Sequence, residues 1–413
     1  MTEVRSSEAD ASRFRVRALV IGALVFFAFC LIAARLVYLQ VVRHEDLAAQ
    51  AESNRTAVVP IVPNRGLILD RNGVVLATNY SAYTLEITPS RVGVLDETID
   101  ELSKVVEIQS RDRRRFKRLM EESRNFESLP IRTRLTDQEV ARFTAQRYRF
   151  PGVDIKARLF RNYPLGDVAS HAIGYIGRIN QTEKARIQDS EDEANYRGTE
   201  YIGKLGIEQS FESALHGATG VEQMETSAGG RAVRKLSSHA ATPGDSVMLS
   251  IDIKLQKLIE DMYGNRRGAL VAIDPRNGEI LALVSKPTFD PNLFVEGIDV
   301  ENWTALNESI DKPLLNRALR GTYPPGSTYK PFMALGALET GTRSATMVMN
   351  DPGYWMFGGH RFRSHGDGLG MVDMHRSIVK SSNTYYYSLA NDMGVDAMHD
   401  FMKPLGFGQI TGI

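Results

Sequence analysis

In the stretch Tyr323-Pro324-Pro325-Gly326-Ser327-Thr328-Tyr329-Lys330-Pro331-Phe332 a hydroxyl and an amine stand three residues apart where a helix is about to begin. Positions i and i+3 share a helix face, so the amine of Lys330 is within reach of the Ser327 proton. Pro324, Pro325 and Gly326 read as a rigid turn, and residues 332–339 as an apolar helix stopped near Gly341. Pro331 fits a first turn, whose N–H groups lack intrahelical acceptors. Ser327 is then expected at the positive end of the helix dipole, which favours a developing alkoxide. Ser-x-x-Lys also arises by chance in chains of this length, so the rest of the sequence must decide.

A second polar cluster, Ser377 to Thr384, lies between helical segments some fifty residues on. Ser381 and Asn383 alternate, so a tight turn would point both side chains into one cleft. A hydroxyl there relays a proton between Lys330 and a leaving amine, and an amide orients Lys330 or a substrate amide. Alone, Ser-x-Asn is most often a loop or a helix cap. Asp351, His360, His365, Asp367, Asp373 and His375 are the other candidate constellation. Imidazole and carboxylate suit zinc, but the helical spacing of a metal site is missing and the glycine-rich surroundings argue for a loop, so no resident metal or cofactor is expected.

These residues must be carried by a chain of 413 residues, enough for two or three domains. Its 50 basic and 50 acidic residues cancel, so net charge suggests neither a nucleic-acid footprint nor an acidic-substrate binder. The single cysteine, Cys30, leaves no internal disulfide and no cysteine-based metal site. Residues 1–17 carry Arg5, Arg13, Arg15 and Arg17, residues 18–34 carry no charge, and after Arg35 the apolar run resumes through Val42. We expect a cytoplasmic tail over 1–17 and a retained transmembrane helix over 18–42 rather than a cleaved leader, since the run is long and no A-x-A site follows. The arginines put the N-terminus in the cytoplasm and everything after Val42 on the outer face. There, the basic run Arg111, Arg113, Arg114, Arg115, Lys117 and Arg118 reads as a solvated helix face.

Residues 43–245 show a mixed pattern expected to form a pedestal domain without chemistry of its own. Strands are expected at 58–62, 67–70, 74–76 and 83–87, with Asp70-Arg71-Asn72-Gly73 as a hairpin turn. Helices are expected at 99–106, 113–122 and 207–215, and at 140–147 behind a Thr136/Glu139 capping box. Thr242-Pro243-Gly244-Asp245 marks a boundary. An α/β domain follows, with a strand at 246–251, a helix at 255–263 and a hairpin of 269–273 with 279–284.

Ser327-x-x-Lys330 followed by Ser381-x-Asn383 resembles the signature of penicillin-binding proteins and β-lactamases. Further stretches carry the resemblance to the class B penicillin-binding proteins across nearly the whole chain. They include Arg65 to Gly73, Tyr163-Pro164 with His171 to Gly177, Gly203 to Glu208, Asp290 to Phe294 and Asn316-Arg317-Ala318. Phe150 to Val153 and Asp351-Pro352-Gly353 favour the elongation branch, penicillin-binding protein 2.

The resemblance implies a single-pass membrane anchor, an α+β pedestal (dimerisation-like) domain and a partial α/β penicillin-binding transpeptidase domain over 246–413. It implies Ser327 as acylated nucleophile, Lys330 as its base, Ser381 and Asn383 as the second motif, and the Ser327 N–H as half of an oxyanion hole. The implied activity is a peptidoglycan D,D-transpeptidase acting on D-alanyl-D-alanine stem peptides, acylated by β-lactams, and partnered by a membrane glycosyltransferase and shape proteins. The family's third motif, Lys-[Ser/Thr]-Gly, does not occur. The chain is therefore expected to be an N-terminal portion that acylates poorly. Two other classes are carried beside this one: a non-enzymatic scaffold docking a glycosyltransferase, and a β-lactamase or β-lactam sensor, against which the long pedestal argues.

Overall fold

The computed structural model describes residues 7–47, 56–122, 128–226, 232–364 and 366–413. Arg5 and His365 lie outside the described residues, as do the side chains of Arg13 and Arg15. Residues Met1–Leu314 and Leu315–Ile413 form two compact units.

The α-helix Ser7–Val37 continues through a π-helical turn, Tyr38–Val42. Within it Val16–Val42, 27 residues of mean hydropathy 2.6, is long and apolar enough to cross a membrane. At 1.5 Å per residue this is roughly 40 Å of helix. Arg35 lays its guanidinium over the Tyr38 ring, 5.4 Å from the centroid.

The strand Val75–Ile87 runs through the middle of the first unit. It pairs antiparallel with Ile68–Leu69, Leu129–Leu135 and Val153–Asn162, and Val247–Met248 adds parallel to Ile68–Leu69. Two short strands were expected here, because residues 77–82 show little apolar alternation. The ten-residue ladder with Val153–Asn162 overrides that local weakness, since pairing and packing dominate strand formation. Helices Leu95–Leu102, Ser110–Glu122 and Asp137–Gln146 close over this sheet and bury Leu102, Phe116 and Phe143 against Leu85, Ile87 and Ile131.

The first of these helices starts four residues before the expected 99, where Asp96 and Glu97 favour a first turn, and leaves Val105 and Val106 to turn into the core. The capping box is present in both halves: the Thr136 side chain accepts from the Glu139 N–H and the Glu139 carboxylate from the Thr136 N–H. A second box, Asn180 with Glu183, was not anticipated. The segment expected as one helix at 207–215 is two, Gly206–Ser210 and Glu212–His216, broken at Phe211.

The stretches that carry the family resemblance converge in this unit. Glu208, with no exposed surface, accepts from Arg65 Nε and Arg161 Nε at 2.7 Å each and from the Tyr163 hydroxyl at 3.1 Å. Arg65 also binds Glu212 at 2.7 Å. Burial would discharge Arg65, but the Glu208 and Glu212 carboxylates outweigh it and hold the guanidinium charged. Gly66 next to it admits no side chain, because a Cβ would stand 1.9 Å from the Asp245 carbonyl oxygen.

Asp70 forms the expected turn, accepting from the Asn72 and Val74 N–H groups at 2.8 Å, and also from Ile253 N–H at 3.2 Å, the first residue of helix Ile253–Tyr263. That helix packs on the hairpin Gly268–Ile273 with Ile280–Lys286. These ties place residues 246–314 in the first compact unit.

In the second unit the helices Lys330–Glu339 and Asn383–Met402 pack through Met333, Ala337, Tyr385 and Leu389. A short ladder joins Met349–Asp351 to Gly370–Val372, and Tyr354–Phe357 pairs with His360–Arg363 as an exposed hairpin.

Candidate active site

The turn before the first of these helices sets the position of the hydroxyl. Ser327 lies in a 3-10 turn, Gly326–Tyr329, and the α-helix proper begins at Lys330. This corrects the expectation of Ser327 at the α-helix N-terminus. An α-helical bond to the Ser327 carbonyl would need an N–H at position 331, which is proline, so the chain tightens into 3-10 geometry there. Gly326 enters the turn at φ 57°, in the left-handed region. Ser327 is exposed and Lys330, one 3-10 turn further on, is buried.

The second cluster is presented by a strained turn. Helix Met374–Val379 ends in bonds from Ser381 N–H to Ile378 O and from Ser382 N–H to Ser377 O, and Ser381 is forced to φ 54°. A non-glycine residue there costs on the order of 1 kcal/mol and persists only where its surroundings over-determine it. The strain turns the Ser381 hydroxyl toward Ser327, with the two Oγ atoms 2.7 Å apart.

Lys330 Nζ meets three oxygens: the Ser381 carbonyl at 2.7 Å, Ser381 Oγ at 3.0 Å and Asn383 Oδ1 at 2.7 Å. None is a carboxylate, and burial pulls the amine below the usual lysine range. The Tyr386 ring, 5.6 Å from Nζ, forms part of the wall. Hydrogen bonds thus connect Ser327 to Lys330 through Ser381. A neutral amine has two N–H donors and one lone pair, and of its three neighbours only the Ser381 hydroxyl can donate. Deprotonated Lys330 therefore turns Ser381 O–H toward itself, which leaves Ser381 Oγ free to accept from Ser327 O–H. The direction of the relay is set by which partners own a proton.

A layer that sequence reasoning did not assign holds this turn. The Ser382 hydroxyl donates to Asp351 Oδ2 at 2.6 Å and caps helix Asn383–Met402 by accepting from Tyr385 N–H. Burial raises the Asp351 carboxyl, but the Ser382 and Thr384 hydroxyls and the Gly353 N–H outweigh it and hold it below the usual range. Asn383 N–H donates to Ser364 Oγ at 3.1 Å. Arg343, buried, binds the Tyr385 carbonyl, Ser388 Oγ and Asp392. A serine just before an apolar helix was the available signal for Ser382; Asp351 stood out only as a candidate metal ligand and in a family stretch, and nothing local marked Ser364 or Arg343.

Asp351 thus acts within the turn rather than as a metal ligand. Asp373 caps helix Met374–Val379 through Arg376 N–H, and His360 stacks edge-on against Phe362 in the exposed hairpin. Among the described residues no cluster of three or more His, Cys, Asp or Glu could hold a metal.

Two family models match the chain in succession: the penicillin-binding protein dimerisation domain over residues 60–249 and the penicillin-binding protein transpeptidase domain over 268–413. The chain belongs to the penicillin-binding proteins.

Within that family it is 42% identical to the peptidoglycan D,D-transpeptidase MrdA of Acinetobacter baumannii, over 97% of this chain and 59% of the relative. To MrdA of Escherichia coli K12 it is 40% identical over 99% of this chain and 65% of the relative. The chain therefore spans about three-fifths of the length of these curated relatives. Among solved penicillin-binding proteins, PBP2 of Helicobacter pylori in complex with MreC matches with TM-score 0.71 at 26% identity, over 86% of this chain and 66% of that one. PBP2 of Pseudomonas aeruginosa in complex with WCK 5153 matches with TM-score 0.59 at 35% identity, over 86% and 58%.

Proposed function

We propose that this chain carries the nucleophile half of a peptidoglycan D,D-transpeptidase of cell elongation, with Ser327, Lys330, Ser381 and Asn383 as its reacting groups. The observation that carries the reading is the chain of hydrogen bonds from Ser327 Oγ through Ser381 Oγ to a buried lysine that meets no carboxylate.

Ser327 Oγ attacks the carbonyl of the penultimate D-alanine of a stem peptide. Its proton passes to Ser381 Oγ as the Ser381 proton moves to Lys330 Nζ. The tetrahedral intermediate collapses when the ammonium of Lys330 returns a proton through Ser381 to the departing D-alanine amine. The ester on Ser327 is then resolved by an amine of a neighbouring stem, which re-forms the serine and makes the crosslink. Asn383 Oδ1 orients Lys330 through both steps. β-Lactams would stop at the ester.

The apolar helix Val16–Val42 would anchor the chain in the cytoplasmic membrane with residues 43–413 on the periplasmic side, and residues 43–245 would serve as the pedestal domain of a chain whose transpeptidase portion is 246–413. A membrane glycosyltransferase is the expected partner of anchor and pedestal. The match to a PBP2 solved with MreC supports a shape-protein partner as well.

The test is the intact mass of the chain and of its Ser327→Ala variant after benzylpenicillin. A single adduct on the parent, formed slowly and absent from the variant, is expected. An adduct that survives in the variant, or none on the parent, overturns the assignment.

A further inference from the structure

The basic run that reads in sequence as a solvated helix face lines one side of a groove of about 500 Å³ in the first unit. Helix Ser110–Glu122 contributes Arg111, Arg114, Arg115 and Arg118, each three or four residues from at least two of the others, so they share one face. Arg132 and Arg134 reach it from the strand Leu129–Leu135, and Arg178 from the strand Ile176–Arg178. Seven arginines thus meet three carboxylates, Asp112, Glu296 and Asp299, in a chain whose overall charge is zero.

Those carboxylates are already engaged. Asp112 is buried against Gln109 N–H, Arg132 and Arg115. Glu296 binds Arg134 at 2.5 Å and the Thr133 hydroxyl at 2.7 Å, and Asp299 caps the next helix through Asn302 N–H. Arg111, Arg114 and Arg118 are exposed and have no ion-pair partner among the described residues. The internal pairs fix the floor of the groove, and the stripe above it presents a surplus of planar, bidentate donors suited to carboxylate or phosphate. A merely solubilising helix face has no need of a second and third element bringing like charges to the same wall, where they repel.

We propose that this groove, none of whose lining residues belongs to the Ser327 site, is a second binding site for the carboxylates of a peptidoglycan strand. The proposal rests on the transpeptidase reading above. A crosslinking chain outside the membrane works on a polymer whose stem peptides repeat C-terminal and side-chain carboxylates. A cationic groove that shares no residue with the nucleophile's site holds that polymer between acyl transfers without competing for the reacting stem.

The test uses the full chain in detergent, in a Ser327→Ala background so that covalent capture does not contribute. Binding is measured to uncrosslinked glycan strands bearing stem peptides, to the same strands with their carboxylates amidated, and to vesicles of phosphatidylglycerol or phosphatidylcholine. Native strands are expected to bind in a salt-sensitive way. Replacing Arg111, Arg114 and Arg118 together by Gln should weaken that binding roughly tenfold, as three exposed charge contacts would. Amidated strands should bind the parent no better than native strands bind the triple variant. Lys117→Gln, on the same helix but outside the groove, should match the parent.

Equal binding by parent and triple variant, equal binding of amidated strands, or no strand binding at all overturns the proposal. So does arginine-dependent binding to phosphatidylglycerol without strand binding, which would make the groove a lipid-headgroup site. Benzylpenicillin labelling of the triple variant with Ser327 restored reads the catalytic assignment by itself. Unlabelled Ser327 beside arginine-dependent strand binding sinks that assignment and leaves the carboxylate site standing.

Discussion

Glu208 in the first unit and Lys330 beside Ser327 are both buried ionisable groups with three close polar partners, yet they are built for opposite ends. Glu208 is surrounded by charge: two guanidinium groups and a tyrosine hydroxyl take up a carboxylate that no solvent reaches. Lys330 is surrounded by dipoles, a carbonyl, a hydroxyl and an amide oxygen, with no opposite charge among them. A buried charge with matched counter-charges stays ionised and locks elements together. A buried amine with neutral neighbours is poised to lose its proton, which a general base requires. Depth of burial does not separate structural from reactive groups here; the sign of the neighbours does.

The sharpest way to break this comparison is to remove the amine. Lys330→Met should lower the benzylpenicillin acylation rate of the chain about 10²- to 10⁴-fold, the usual worth of a positioned base, with little change in unfolding midpoint. If instead the variant unfolds and labels normally once refolded, Lys330 belongs with Glu208 as a structural group.

Glu208→Gln makes the converse case. It leaves Arg161 buried without its counter-charge and Arg65 with Glu212 alone, and should destabilise the first unit by about 3–5 kcal/mol in denaturant unfolding. Ser327 acylation below the transition should be unaffected. Equal stability would show that the cluster is not what holds Arg65, Tyr163 and Gly206–Ser210 together.

The pH dependence of the two regions should differ as well. In the proposed relay Lys330 works in its neutral form, and burial holds its pKa below the ordinary lysine value, so acylation should climb with pH through a midpoint below that value. For stability the sign is the same. The folded state gives up its proton before the unfolded chain does, so stability rises with pH between the depressed folded pKa and the ordinary one. Below the folded pKa the full cost of the buried cation is present. A flat rate profile across that range would mean that Lys330 is not the group titrating in the relay.

The smallest effect expected is at Ser381, where the two roles meet. Ser381→Gly relieves a left-handed backbone and should stabilise the second unit by about 1 kcal/mol, while acylation falls because the bridging hydroxyl is gone. Ser381→Ala should lose the same activity without the gain. If Gly and Ala behave alike in stability, the turn is not strained.

What the sequence determined by itself was whatever depends on neighbours a few residues away. Ser327 and Lys330 at i and i+3, the Thr136 box, the Asp70 turn and the charge-free run after Arg17 are all legible because helix geometry, caps and hydropathy act locally. The strand Val75–Ile87 was read as two pieces, since the ladder that supports its middle comes from Val153–Asn162, far along the chain. The same distance hid the meaning of Arg65, Tyr163 and Glu208, three stretches recognisable one by one whose reason for existing is that they touch. It hid the arginine groove, half of whose charge lies outside the helix that carries the run. Only the tertiary structure decided that Ser381, and not Lys330 directly, hydrogen-bonds Ser327, because that depends on how a strained turn fifty-four residues away is pressed against the start of a helix.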